Sequence, residues 1–193
     1  MTGLRQRQSE RIRQGIQDAA TRLFLASGFE AVSVNEIAAA AEVSKRTLFK
    51  YFPSKEDLVI GAFSDHQDEL ARVVAGGGPP LAVLERHFLD GLARRDPVTG
   101  LDDRRPTLAF VAMVLATPSL QARLLLYQTR AEEALAQAIS SRVAAYMIFA
   151  VHRALADENR RRLTGGISAD ERYPGAVEAA RDAFKLLREG LTY

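Results

Sequence analysis

Residues 33–55, SVNEIAAAAEVSKRTLFKYFPSK, read as two short helices, a tight turn between them and the start of a third helix. Ser33 with Glu36 three positions on forms a capping-box pattern ahead of the apolar pair Ile37 and Ala38. Ser44 offers a second cap. The helix it opens has to stop near Phe52, because Pro53 disfavours helical geometry in the residue before it. Ser54 supplies a third cap ahead of Lys55, Glu56 and Asp57. Helices this short are not stable alone, so they must dock on the rest of the chain. On the middle helix, at about 100° per residue, Leu48 points one way while Arg46 and Lys50 point almost directly away from it, with Thr47 beside them. A helix anchored by one leucine and presenting two cations outward suits the major groove of DNA.

Charge is distributed in keeping with that reading. The formal net charge of the 193 residues is only +2, but residues 1–52 carry eight Arg/Lys against five Asp/Glu. The cations sit in an N-terminal arm (Arg5, Arg7, Arg11, Arg13) and on the outer face of the middle helix, a local footprint for phosphate rather than a generally basic protein. Arg or Lys donating to guanine O6 and N7 is the commonest specific base contact, which makes Arg46 and Lys50 the candidate base readers. Lys45 and Thr47 are secondary candidates, for phosphate or a thymine methyl. Leu48, Ile37, Ala38 and Phe52 read as core that sets the angle between the two helices; Phe49 is expected to pack, the alternative being that it lies against sugar.

Working outward, a first helix is expected over about residues 9–27, ended by Gly28 with Phe29 folding back on its last turn. A helix from Lys55 is expected to reach Val74, where Gly76-Gly77-Gly78-Pro79-Pro80 breaks the chain. Further helices are expected at about 81–95, 106–117, 119–140, 143–164 and 175–189, the last closed by Gly190 and Leu191. No alternating β pattern of useful length occurs, so the class is all-α, with about nine helices. Between 119–140 and 143–164 only Ile139–Arg142 intervenes, without glycine or proline: either the helices run together with a kink, or a disordered loop belongs between them. The segment 143–156, VAAYMIFAVHRALA, is apolar nearly all round and is expected to be buried on two sides, by its own core and by a partner subunit.

The stretch quoted first resembles the DNA-binding helix-turn-helix of the tetracycline-repressor (TetR) family of transcriptional regulators. The matching residues are Phe24 and Gly28, Ser33, Ile37-Ala38, Val43-Ser44, Thr47-Leu48-Phe49-Lys50-Tyr51-Phe52 and Ser54-Lys55, within roughly residues 8–60. Two positions depart from the family pattern: Glu42 stands where the family has glycine, and Phe49 where many members carry tyrosine. The resemblance implies a three-helix head, residues 1–53 with its helix-turn-helix at about 33–52, and a helical regulatory and dimerisation domain, residues 54–193. It implies phosphate contacts for Ser33, Tyr51 and Lys55, with Ser44 at the turn completing the DNA-binding set.

The resemblance also implies a homodimer on a pseudo-palindromic double-stranded operator, a small-molecule effector and repression released by that effector. Phe88, Phe110, Met113 and Phe149, with Tyr127, Arg130 and His152 as polar anchors, are the candidate pocket, whose apolar bias favours a hydrophobic effector. Ile148, Val151 and Leu155 with Val177, Ala180, Phe184 and Leu187 are the candidate dimer interface.

Other classes find little support. The chain has no cysteine, so disulfides and thiolate metal sites are excluded. MTGLRQRQSE has no apolar stretch of a secretory signal, and the longest apolar runs, Leu108–Ala116 and Val143–Val151, are nine residues each against the ~20 needed to span a bilayer. A cytoplasmic location without a membrane partner is expected. His66, His87 and His152 lie far apart along the chain, and no HExxH, GxSxG, P-loop or GxGxxG occurs. His66 and Glu69 read as an exposed polar pair. No cofactor, metal or catalytic residue is expected; the rival readings are an all-α enzyme and a helical protein-binding adaptor without DNA function.

Overall fold

The computed structural model describes residues 2–190, with only the backbone at Thr2, Arg5, Ala62, Ser64 and Asp65. Every regular element among them is helical: α1 (Thr2–Ser27), α2 (Val34–Ala40), α3 (Lys45–Tyr51), α4 (Lys55–Ile60), α5 (Glu69–Ala75), α6 (Pro80–Ala93), α7 (Arg105–Ala116), α8 (Pro118–Ile139), α9 (Arg142–Thr164) and α10 (Ala169–Glu189). Short 3₁₀ turns occupy Gly61–His66 and Pro97–Thr99. No single helix among the described residues is long and apolar enough to cross a membrane. The chain packs as two compact units. One runs to Asp65 and includes Ala109–Tyr127; the other holds His66–Leu108 and everything from Gln128 on.

The first unit is built on α1. Ile16, Ala20 and Phe24 recur every four residues and are buried against Ile37 and Ala38 of α2, Leu48 of α3, Phe52, and Leu58 and Val59 of α4. Val114 of α7 and Leu120 of α8 complete this core. Gly28, at φ +83°, ends α1 by donating to the Phe24 carbonyl, and so returns Phe29 to stack on Phe24 with ring centroids 5.3 Å apart. The helix begins at Thr2 rather than near Ser9. Between these positions no residue breaks the helical ladder, and Arg7 Nε donates to the Gly3 carbonyl one turn back.

The expected helix over 55–74 is broken, which gives ten α-helices instead of nine. At Leu58 the carbonyl accepts the side-chain amide of buried Gln17, and the ladder tightens to 3₁₀ from Gly61. A β-carbon at Gly61 would come within 2.8 Å of Gln17 Oε1 and 2.9 Å of the Phe52 ring, so α1 and the residue that ends α3 press on the chain at this break.

The core of the second unit lies between α6, α9 and α10, from Leu84, Phe88, Leu92, Ile148, Ala180 and Phe184, with Leu101 and Leu135. Ile148, Ala180 and Phe184 were expected at a subunit interface and instead fill this core. They are at most 3% exposed within the single chain, so no partner can cover them. Val151, Leu155, Val177 and Leu187 are half-buried. The exposed large apolar side chains of α9 are Val143, Tyr146 and Met147, on one helical face. Gly100, at φ +72°, lies so close to α9 that a β-carbon would stand 2.1 Å from the Ala156 carbonyl oxygen. Beside it, buried Asn159 donates to the Thr99 carbonyl at 2.9 Å and accepts from Arg172 Nε at 3.0 Å, which satisfies both ends of its amide.

Two further boundaries differ from expectation. α10 starts at Ala169 instead of 175, because Ser168 and Glu171 form a capping box upstream of Pro174. The proline forfeits only the bond to the carbonyl of exposed Asp170, which water can satisfy. At Ile139–Arg142 the two helices do not run together with a kink: α8 ends and α9 begins through a tight turn. Ser140 takes φ +54°, Ser140 N–H donates to Gln137 and Ser141 N–H to Ala136, a Schellman turn, and Ser141 then caps α9. The expected closing contact of Leu191 lies outside the described residues.

The three histidines, distant in sequence, converge. The Glu69 carboxylate lies 2.5 Å from His66 Nδ1 and 3.3 Å from His87 Nε2, so the pair read as exposed is a half-buried trio. His152 packs edge-on against Phe88 (centroids 5.1 Å) and Phe184 (5.5 Å), half-buried as a residue but with its Nε2 buried and without a hydrogen-bond partner. Burial first, then the neighbouring His87, pushes its pKa down from 6.5 to about 4. Above pH 6.5 the ring is neutral in both folded and unfolded chains. Below it the unfolded chain takes up a proton that the folded one refuses, so this contribution to stability drains away between pH 6.5 and about 4. Relative to His152→Phe, the wild-type protein is expected to lose up to about 3 kcal/mol across that window, read by urea unfolding at a series of pH values. Parallel pH profiles for the two proteins would show that His152 titrates freely in the fold.

Candidate nucleic-acid interface

α2 and α3 are seven residues each, and their ends are determined by side-chain caps. Ser33 Oγ accepts the Glu36 N–H at 3.2 Å while Glu36 accepts the Ser33 N–H at 2.7 Å. That N–H, then the Ser33 hydroxyl, hold the Glu36 carboxyl below the usual carboxylate range, and Lys55 adds a smaller pull in the same direction. At the start of α3, Ser44 Oγ accepts the Thr47 N–H at 3.0 Å and shares a 2.8 Å hydrogen bond with the Thr47 hydroxyl. The intervening turn is a Schellman closure: Glu42 N–H donates to Ala39, Val43 N–H to Ala38, and Glu42 takes φ +53°. This is the left-handed conformation in which glycine is at home.

Leu48 is fully buried and fixes α3 by its inner face. On the opposite face Arg46 and Lys50 are exposed, Lys45 is exposed in the first turn, and Arg46 makes no ion pair among the described residues. Lys45 Nζ lies 6.0 Å from the Phe49 ring and Lys50 Nζ 5.8 Å from the Tyr51 ring, so the rings flank the cations without neutralising them. Phe49 does not pack as expected: it is 38% exposed on this outer face. Tyr51 is half-buried, and its hydroxyl accepts a hydrogen bond from Ser9 Oγ at 3.1 Å, a tether between α1 and α3 that no local pattern announces. Lys55 stands 4.3 Å from the Phe29 ring centroid, with Nζ 3.5 Å from the Glu30 carbonyl. Ser33, Ser44, Lys45, Arg46, Thr47, Lys50, Tyr51 and Lys55 thus all lie in or beside the helix pair of the first unit.

The candidate pocket residues divide. Phe110, Met113 and Tyr127 pack against the first unit's core, with Phe63 joining Phe110 (5.8 Å) and Tyr127 (6.3 Å) in an aromatic cluster. Phe88, Phe149 and His152 belong to the second unit, where Arg130 is exposed. Among the described residues no three His, Cys, Asp or Glu side chains are arranged to hold a metal ion.

Residues 16–62 match the family model described as bacterial regulatory proteins, tetR family. The chain belongs to the TetR family. It is 35% identical over 144 residues to the transcriptional regulator TcmR of Streptomyces glaucescens, a match covering 72% of this chain and 64% of that one. With the transcriptional repressor KstR of Mycolicibacterium smegmatis it shares 34% identity over 87 residues, 43% of this chain and 42% of that one. The match therefore spans less than two thirds of either relative's own length. The crystal structure of NalD from Pseudomonas aeruginosa, a secondary repressor of a multidrug efflux pump, superposes over 91% of this chain and 97% of its own with a TM-score of 0.60 at 20% identity, a likeness of fold.

In this TetR-family chain the left-handed turn position carries a β-carbon at Glu42. Glu42→Gly is expected to stabilise the protein by about 1 kcal/mol, measured by chemical denaturation. An unchanged or lowered stability would show that the Glu42 side chain compensates for its backbone strain.

Proposed function

We propose that this protein is a transcriptional regulator that binds a pseudo-palindromic operator as a homodimer and acts as a repressor released by a small hydrophobic effector. Residues 1–53 are the reading head and 54–193 the regulatory and dimerisation part. The observation that carries the proposal is α3: one buried leucine on its inner face, Arg46 and Lys50 exposed on the opposite face, and Lys45 exposed in its first turn. Repression follows the resemblance to KstR, a transcriptional repressor. No arrangement among the described residues favours an enzyme.

The residues divide by role. Arg46 and Lys50 read base edges, since they stand farthest from the buried anchor; Lys45 and Thr47 support them. Ser33, Tyr51 and Lys55 hold phosphate, which positions the head without reading sequence. An effector releases DNA only through different affinities for the DNA-bound and free arrangements of the dimer; tight binding alone shifts nothing.

Selection of bound fragments from sheared source DNA is expected to return a pseudo-palindrome. Sites without two-fold symmetry would count against the dimer, and no retained duplex would sink the regulator reading. On the selected duplex, Arg46→Ala is expected to cost about 1–3 kcal/mol and to relax preference at one base pair per half-site. Lys55→Ala is expected to weaken all duplexes evenly and to lower the salt slope by about one. Equal weakening of every sequence by Arg46→Ala would remove it from the base readers.

A further inference from the structure

α4 carries an acid where a phosphate-binding head has least use for one. Asp57 Oδ2 accepts the Ser54 N–H at 3.0 Å and the Ser54 hydroxyl at 2.8 Å, and Ser54 Oγ accepts the Asp57 N–H at 3.1 Å. This capping box places a carboxylate two residues from Lys55. The backbones of the first and third residues of α4 are about 5–6 Å apart, so although the two side chains leave the helix on different faces, the carboxylate's charge is felt at the helix start that Lys55 occupies, over a Debye length of about 8–10 Å. The acid is not left alone. Arg123, on α8, donates from Nε to Asp57 Oδ1 at 2.7 Å and pairs with the same oxygen through its guanidinium. The carboxylate is 16% exposed and the arginine side chain 32%, which makes the pair better shielded than a surface salt bridge.

Four residues further along the same face of α8, the Tyr127 hydroxyl donates to the Phe63 carbonyl in the 3₁₀ segment that follows α4. α8 therefore grips α4 and the segment after it with two polar contacts, one turn apart. It then continues as one helix to Ile139.

We infer that Arg123 is a regulatory positioning residue, whose pairing with Asp57 sets the affinity of the reading head for DNA by masking the carboxylate beside Lys55. This rests on the reading of the protein as a DNA-binding regulator. With Arg123 in place, α4 presents Lys55 to phosphate beside a neutralised acid. When a shift of α8 withdraws Arg123, an uncompensated negative charge remains next to the phosphate contact, and every sequence is bound more weakly. The signal is a charge exposed or masked, and it requires no change in α3.

The test uses the full-length protein, the duplex selected by the wild type and a scrambled duplex, at 50 mM and 300 mM salt. Arg123→Met is expected to weaken both duplexes by roughly tenfold at the lower salt, with the gap closing at the higher. Arg123→Lys, which keeps the charge, is expected to stay near wild type. Arg123→Met combined with Asp57→Asn is expected to regain wild-type affinity, since the exposed acid is gone. Thermal unfolding of each variant accompanies the binding measurement. Affinity within twofold of wild type for Arg123→Met would overturn the inference, as would a double variant as weak as Arg123→Met, or a loss that tracks the unfolding midpoint. If the wild-type protein retains no duplex, the regulator reading itself fails and takes the inference with it. Wild-type binding with an unresponsive Arg123→Met rejects the inference alone.

Discussion

The burial of Leu48 against α1 is the interaction on which the reading head depends. α2 and α3 have seven residues each, about two turns, and a helix of two turns has too few hydrogen bonds to offset the cost of nucleation. They persist because Ile37, Ala38 and Leu48 enter a core already organised by Ile16, Ala20 and Phe24. Ile37 and Leu48 each contribute roughly 1.5–3 kcal/mol on burial, more than a short helix supplies by itself. Fixing α3 by its inner face alone leaves its outer face available, and that face carries Arg46 and Lys50. The same packing that makes the helix stable thereby determines which residues meet solvent.

The caps decide where these helices start, and they bring acids with them. Glu36 and Asp57 are both third residues of capping boxes, and both therefore sit near residues expected to meet phosphate. Each is offset differently. Glu36 lies near Lys55, which helps hold its carboxyl ionised, whereas Asp57 is paired with Arg123. A negatively charged cap is favourable for the helix and unfavourable for a polyanionic ligand, so the compensating cation carries functional weight.

The second unit follows a different logic. Apart from the seven-residue α5, its helices are long enough to stand on apolar packing, and polar groups enter its core only where they are satisfied or held neutral. Asn159 is the first case, with donor and acceptor both engaged. His152 is the second, held neutral between Phe88 and Phe184. Its burial links the stability of this unit to pH in a way that the aromatic partners alone would not.

Local chemistry was legible in the residues themselves. The three serine caps, the stop before Pro53, the glycine end of α1 and the outward direction of Arg46 and Lys50 follow from rules that act within one or two turns. So does the left-handed turn at Glu42, once the matching family position is known to be glycine. Contacts between distant segments were not legible, because no periodicity encodes them. The break of α4 at Gly61 depends on Gln17, forty-one positions from the Leu58 carbonyl it reaches. Ile148, Ala180 and Phe184 have the apolar spacing of an interface, and spacing alone does not distinguish a subunit contact from the chain's own core. The convergence of three histidines on Glu69 and Phe88, and the hold of Arg123 on Asp57, exist only because helices remote in sequence pack side by side. The residues specified which faces would be apolar, capped or charged; tertiary packing decided which of those faces met.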